Sequence, residues 1–165
     1  MRWSIDAATV PSHLGAMSGA ASFLLHGTCV ALGPHGVLLR GPSGAGKSDL
    51  ALRLIERGAR LVADDQVVLK RDRDTLLASA PAAIRGRIEV RGLGIVAMTA
   101  VDEIPLALVV DLVAPEALER MPTPAEAMVG DMRLSQIAVT PFEPSAAFKV
   151  ALALGAATGA VEVIR

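Results

Sequence analysis

Along the chain, short apolar runs of strand length alternate with clusters of Gly, Pro and charge, and only two longer stretches show helical spacing. From Ser22, FLLHGTCVAL reads as one strand, and Gly33-Pro34-His35-Gly36 as a tight turn that returns the chain through Val37 to Arg40 as a hairpin. Lys47 to Ile55 has helical periodicity, and Gly58 fits the residue that ends such a helix. Arg60 to Ala63, Gln66 to Lys70 and Thr75 to Ser79 read as short strands, with Arg71 to Asp74 a charged turn; alternation of this length argues for antiparallel hairpins. Ile84 to Val90 continues the alternation up to Gly92-Leu93-Gly94. LALVVDLV, Leu106 to Val113, is the apolar run of a strand buried on both faces. Pro115 to Arg120 predicts a turn or two of helix, Pro124 to Asp131 a loop, Leu134 to Thr140 a strand, and Ser145 to about Ala157 a closing helix. Residues 1–21 are small, polar and irregular, which predicts a flexible leader ahead of a domain over residues 22–165.

One junction carries chemistry. Between the Val37–Leu39 run and the first helix stands GPSGAGKS (Gly41, Pro42, Ser43, Gly44, Ala45, Gly46, Lys47, Ser48), which fits G-x-x-x-x-G-K-[ST] at every fixed position. The glycines let successive backbone N–H groups turn inward toward phosphate oxygens, and the positive end of the helix favours the same anion. Lys47 is suited to the β- and γ-phosphates and the Ser48 hydroxyl to one Mg²⁺ position.

Composition narrows the remaining choices. The 165 residues suit a single domain with its own core, and with one Trp, three Phe and no Tyr that core must be aliphatic. Few rings remain for stacking on a nucleotide base or on single-stranded nucleic acid. A formal net charge of −1 gives no electrostatic case for a nucleic-acid partner. Cys29 is the only cysteine, which excludes an internal disulfide and fits a reducing cytoplasm. Asp6 makes the start a poor secretory signal, and Ala146 to Val161 is too short and mild for a membrane span.

A P-loop enzyme needs a further carboxylate for Mg²⁺ and a group that positions or deprotonates the nucleophile. Asp111, near the end of LALVVDLV, has the look of a Walker-B aspartate; Asp64-Asp65 closes the strand that follows the P-loop helix. Two adjacent acids beside a triphosphate divide naturally between neighbouring the cation and taking a proton, so the pair is read as functional. Asp111 is read instead as a strand-end acid facing solvent or a helix terminus. Glu89, between Arg87 and Arg91, has the pattern of a solvated strand face, although Gly92 and Gly94 permit close approach of a ligand. His26, with apolar neighbours, reads as a satisfied core histidine.

His26-Gly27, GPSGAGKS, RGARLVADD (Arg57 to Asp65) and IEVRGLGI (Ile88 to Ile95) together resemble the C-terminal catalytic domain of HPr kinase/phosphorylase. The resemblance is clear from His26 to Ile95 and weaker on to about Pro141. It implies an α/β fold with a P-loop core and a mixed β-sheet, like that of phosphoenolpyruvate carboxykinase, in a short form without the N-terminal domain. The implied activity is phosphorylation of a serine on the phosphocarrier protein HPr by ATP, or by pyrophosphate, with Mg²⁺. The reverse reaction would be phosphorolysis, within regulation of the phosphotransferase system. The resemblance gives Asp65 the serine proton, marks His26 and Lys47 as catalytic, and Ser48 and Glu89 as Mg²⁺ positions. It extends to Glu89–Met98 as a mechanistic stretch and, on spacing, to Arg120 as a charge-neutralising catalytic residue. It implies a cytoplasmic homo-oligomer, hexameric in the family, with no nucleic-acid or membrane partner. The chain departs from the family at Pro141-Phe142-Glu143-Pro144-Ser145, where an arginine-bearing PVRPGR-type loop is expected; this bears on phosphorolysis and on the grip on carrier or phosphate. A small-molecule P-loop kinase and a non-catalytic ATP-binding regulatory module are the competing readings.

Overall fold

Because Leu108, Val109 and Val110 are apolar in succession, both faces of their strand must be covered, and all three are fully buried. The computed structural model describes Ala8, Thr9 and residues 21–165; the leader expected over residues 1–21 otherwise lies outside the described residues. In chain order the elements are β1 (Ala8–Thr9), β2 (Ser22–His26), β3 (Thr28–Leu32), β4 (His35–Arg40), α1 (Lys47–Glu56), β5 (Arg60–Ala63), β6 (Gln66–Asp72) and β7 (Thr75–Ser79). They continue with β8 (Arg87–Val90), β9 (Gly94–Ala97), β10 (Ile104–Leu112), β11 (Ala125–Val129), β12 (Met132–Val139) and α2 (Ala146–Ala157).

The strand β10 ties two layers together. Its first residues pair antiparallel with β7, continuing the run β1-β2-β6-β7. Its remaining length pairs in parallel with β4 on one side and β12 on the other, and β3 and β5 extend that layer antiparallel. The sheet is therefore mixed, as the fold class required. One apolar cluster fills the space between this layer and the two helices, with Leu50, Ala51 and Leu54 of α1 and Ala147, Val150 and Leu154 of α2 facing in. A second cluster, including Leu25, Leu38, Leu69 and Val109, lies between the layers. Each fully buried leucine contributes about 1.5–3 kcal/mol.

The expected hairpins and both helices form, and α1 closes as foreseen: the amides of Gly58 and Ala59 return to the carbonyls of Ile55 and Leu54. Two expectations are corrected. FLLHGTCVAL is not one strand: it breaks at Gly27, with β2 pairing β6 in one layer and β3 pairing β4 in the other. Gly27 sits so close to its neighbour that a Cβ there would lie 2.9 Å from the Leu39 carbonyl oxygen, so the chain can cross between layers only without a side chain. Residues 124–131 are not a loop: Ala125–Val129 forms β11, antiparallel to β12 across a Gly130-Asp131 turn. Ala127 and Val129 are buried while Glu126 and Met128 face out, a period-two pattern hidden by its small side chains.

Cys29 is fully buried in β3, and burial pushes its thiol from the ordinary 9.0 up to about 12. The unfolded chain ionises first, so this residue's contribution to stability is complete below pH 9.0 and is lost as pH climbs towards about 12. At pH 8 a thiol reagent should therefore leave the native protein unlabelled over hours and label it fully in denaturant, as intact-mass measurement would register.

Candidate active site

β4 delivers the chain at Arg40 into the glycine loop, and α1 begins at Lys47 with Gly46 as its cap. Gly46 has φ +100°, which requires glycine, and a Cβ there would also crowd the tip of the Phe142 ring at 2.9 Å. The Lys47 side chain is buried, with Nζ donating to the carbonyls of Gly41 at 2.7 Å and Pro42 at 2.9 Å. Burial holds the ammonium below the usual lysine range, against the pull of Asp65 and Asp64 in the other direction.

The acids stand where two strand pairs cross between layers together. β2 passes into β3 at Gly27 and β5 into β6 at Asp64-Asp65, and the Gly27 amide donates to the Asp65 carbonyl at 3.0 Å. The two carboxylates then take opposite environments. Asp64 is buried and accepts from Thr28 Oγ1 at 2.9 Å, Ser48 Oγ at 2.8 Å and the Glu89 amide at 3.1 Å. Asp65, at φ +71°, turns its side chain outward, 71% exposed, with Oδ1 3.4 Å from His26 Nδ1. His26 is likewise open, its side chain 54% exposed, which corrects its reading as a core histidine: the break at Gly27 leaves it at the strand end.

These groups share one cleft of about 300 Å³ with Gly44, Gly46 and Glu89. Of the further lining residues, Thr28, Asp49, Leu52 and Phe142 were not singled out by sequence reasoning, while Arg91 falls within the Glu89–Met98 stretch that the resemblance marks. Arg91 Nη2 lies 3.6 Å from where a Cβ on Gly44 would stand, so the β8–β9 hairpin folds back over the glycine loop. Asp111 lies outside the lining, as does Arg120, which is exposed in the segment after β10. Because β10 and β4 are parallel, that segment leaves the sheet at the same end as the glycine loop. Asp111 neither faces solvent nor caps a helix: Arg40 donates to it twice, at 2.7 and 2.9 Å, and Gln136 once. The acid that accepts from the loop serine is Asp64.

Four carboxylates (Asp49, Asp64, Asp65 and Glu89) line the cleft against the cations Lys47 and Arg91. A triphosphate brought there adds negative charge to an already acidic site, so a divalent cation is needed for the two to coexist. The donor set fits one: Ser48 and the carboxylates are hard oxygen ligands of the kind Mg²⁺ takes alongside phosphate oxygens. Among the described residues no three or more His, Cys, Asp or Glu side chains form a metal cage by themselves.

A family model described as the HPr Serine kinase C-terminal domain matches residues 18–136. The HPr kinase/phosphorylase of Geobacillus thermodenitrificans is 50% identical over 80 residues, covering 48% of this chain and 26% of that protein. That of Bacillus subtilis is 49% identical over 78 residues, covering 47% and 25% respectively. The matched part spans about a quarter of the length of these relatives. The solved structure of the Hpr(Ser) kinase/phosphatase from Coxiella burnetii superposes with a TM-score of 0.69 at 26% identity, over 77% of this chain and 90% of that one. The fold is therefore that of this kinase/phosphatase.

Asp64 and Asp65 should respond oppositely to the same change. Asp64→Ala orphans the fully buried Thr28 hydroxyl and the Glu89 amide, and is expected to cost about 2–3 kcal/mol in urea denaturation. Asp65→Asn, exposed and in a conformation asparagine tolerates, should shift stability by less than about 0.5 kcal/mol.

Proposed function

The chain belongs to the HPr serine kinase C-terminal domain family, and from that premise we propose that it is an ATP-dependent serine kinase acting on HPr, with residues 22–165 as its catalytic unit. The observation that carries the reading is the division of labour between adjacent acids: Asp64 sequestered on the P-loop serine, Asp65 open beside His26 in the same cleft. Loop amides and Lys47 hold the β- and γ-phosphates. Ser48, oriented by Asp64, and Glu89 hold Mg²⁺, which when bound offsets charge on the phosphates. Asp65 takes the proton of the acceptor serine as its oxygen forms a bond to the γ-phosphorus, and the bond to the β-phosphate oxygen breaks to release ADP. His26 fixes the orientation of that carboxylate.

In reverse, inorganic phosphate attacks phosphoserine, Asp65 returns the proton to the serine oxygen, and pyrophosphate leaves; pyrophosphate serves as donor by the same path. Arg120, on the segment leaving the sheet at the loop end, supplies positive charge to the transferring group. A macromolecular rather than small acceptor is supported by the β8–β9 hairpin beside Glu89 and Arg91, where Leu93 is 76% and Ile95 72% exposed. Large apolar side chains held in solvent at the rim of a cleft mark a docking surface. The setting is a cytoplasmic homo-oligomer governing the phosphotransferase system; no helix among the described residues is long and apolar enough to cross a membrane.

Incubation with HPr and Mg-ATP should place phosphate on an HPr serine, and chelation of the cation should abolish transfer. Asp65→Asn should lower kcat on the order of 10²–10⁴-fold while ATP still binds. Asp111→Asn, outside the cleft, should retain transfer. Loss in the Asp111 variant alone, or no transfer to HPr by the wild type, would falsify the assignment.

A further inference from the structure

Where the resemblance leads one to expect arginines, the Pro141–Ser145 loop brings Phe142 into the cleft, and the family match ends at residue 136, before it. Phe142 is 67% exposed and, besides the His26 imidazole, is the one aromatic ring lining the cleft among the described residues. Its edge is seated on the backbone between loop and helix: Cζ and Cε1 lie 2.9 and 3.1 Å from where a Cβ on Gly46 would stand. The loop beneath it is pinned. Arg53 donates to the carbonyls of Pro141 and Glu143, Lys149 pairs with Glu143 at 2.6 Å, and the Ala146 amide returns to the Glu143 carbonyl at 3.0 Å. A largely exposed aromatic whose edge rests on backbone and whose loop is pinned can offer its ring to a flat partner.

Its place along the cleft says which partner. Gly46, Asp49 and Arg53 share one face of α1 by their spacing of three and four, and Phe142 and its loop lie along that face. Ser48 looks to another side, toward Asp64. If the terminal phosphorus lies at the Asp64–Asp65 end, the α-phosphate and nucleoside would leave the loop past Asp49 and Phe142, with Leu52 lining the same cleft. The acceptor hydroxyl approaches from the opposite, Asp65–His26, end.

We infer that Phe142 is the platform on which the base of the phosphoryl donor stacks, making it the residue that selects a nucleotide over inorganic pyrophosphate in this chain. The inference rests on the nucleotide-binding reading above. Calorimetric titration of the wild-type 165-residue chain, Phe142→Ala and Phe142→Trp with ATP and with pyrophosphate, in Mg²⁺, tests it. Phe142→Ala should weaken ATP about tenfold, the scale of one base–aromatic stack, and pyrophosphate less than about twofold. Phe142→Trp, on a Trp3→Phe background since Trp3 is the only tryptophan, should keep ATP affinity and show emission quenched by ATP but not by pyrophosphate. Equal weakening of both ligands marks a structural role and overturns the inference, as does unchanged ATP affinity or a loss confined to KM for HPr. Wild type that binds pyrophosphate but not ATP overturns the platform alone; wild type that binds neither overturns the parent reading as well.

Discussion

The site hangs on one buried carboxylate. Asp64 receives hydrogen bonds from β3, from the first turn of α1 and from the β8–β9 hairpin, through Thr28, Ser48 and the Glu89 amide. Three separate elements are thereby registered on two oxygen atoms. A charge so placed is tolerable only because each donor is supplied, and its removal strands groups that have no other partner among the described residues. The same constraint explains why its neighbour is free. Successive side chains of an extended chain point to opposite sides, and the left-handed φ of Asp65 adds a turn, so fixing Asp64 inward sends Asp65 out into the cleft.

That geometry comes from the way the sheet layers join. Two antiparallel pairs, β2 with β6 and β3 with β5, leave one layer and enter the other at a common point, where Gly27 bonds to the Asp65 backbone. Strand ends at such a crossing lose neighbours, and their side chains open to solvent. His26 and Asp65 both sit there, and β4, alongside β3, ends close by in the glycine loop. Phosphate loop, acids and histidine converge because one crossing serves them all.

Local signals in the sequence were legible and the crossing was not. The P-loop, the doubly buried β10 and the hairpins rest on spacing within a few residues, which periodicity captures. The division at Gly27 depends on the Leu39 carbonyl beneath it, contributed by another strand. His26 was misread for the same reason: apolar neighbours in sequence do not bury a residue whose strand ends beside it. Asp111 had the better local claim to the Walker-B role, at the end of an apolar strand. Its side chain nevertheless faces the β4 arginine in register with it, a contact that no one-dimensional pattern records. Phe142 could have been suspected from scarcity, since in a chain with three phenylalanines one outside any apolar run is conspicuous.

Arg53 shows how the family's frame absorbs a changed loop. It pairs with Asp49 at 3.0 Å and donates to the carbonyls on either side of Phe142. A guanidinium has donors enough in one plane to serve a carboxylate and two carbonyls at once, which an ammonium of lysine geometry does not. Positive charge here stands beneath the loop, on the helix that begins at the glycine loop. The charge therefore acts on loop backbone rather than on a ligand, and the loop's face toward the cleft is left apolar. A phosphate arriving alone would find only an aromatic ring at that end, while a phosphate carrying a nucleoside would bring a base able to cover it. If Phe142 carries the donor base as inferred, the same loop would favour the forward, nucleotide-driven direction over phosphorolysis.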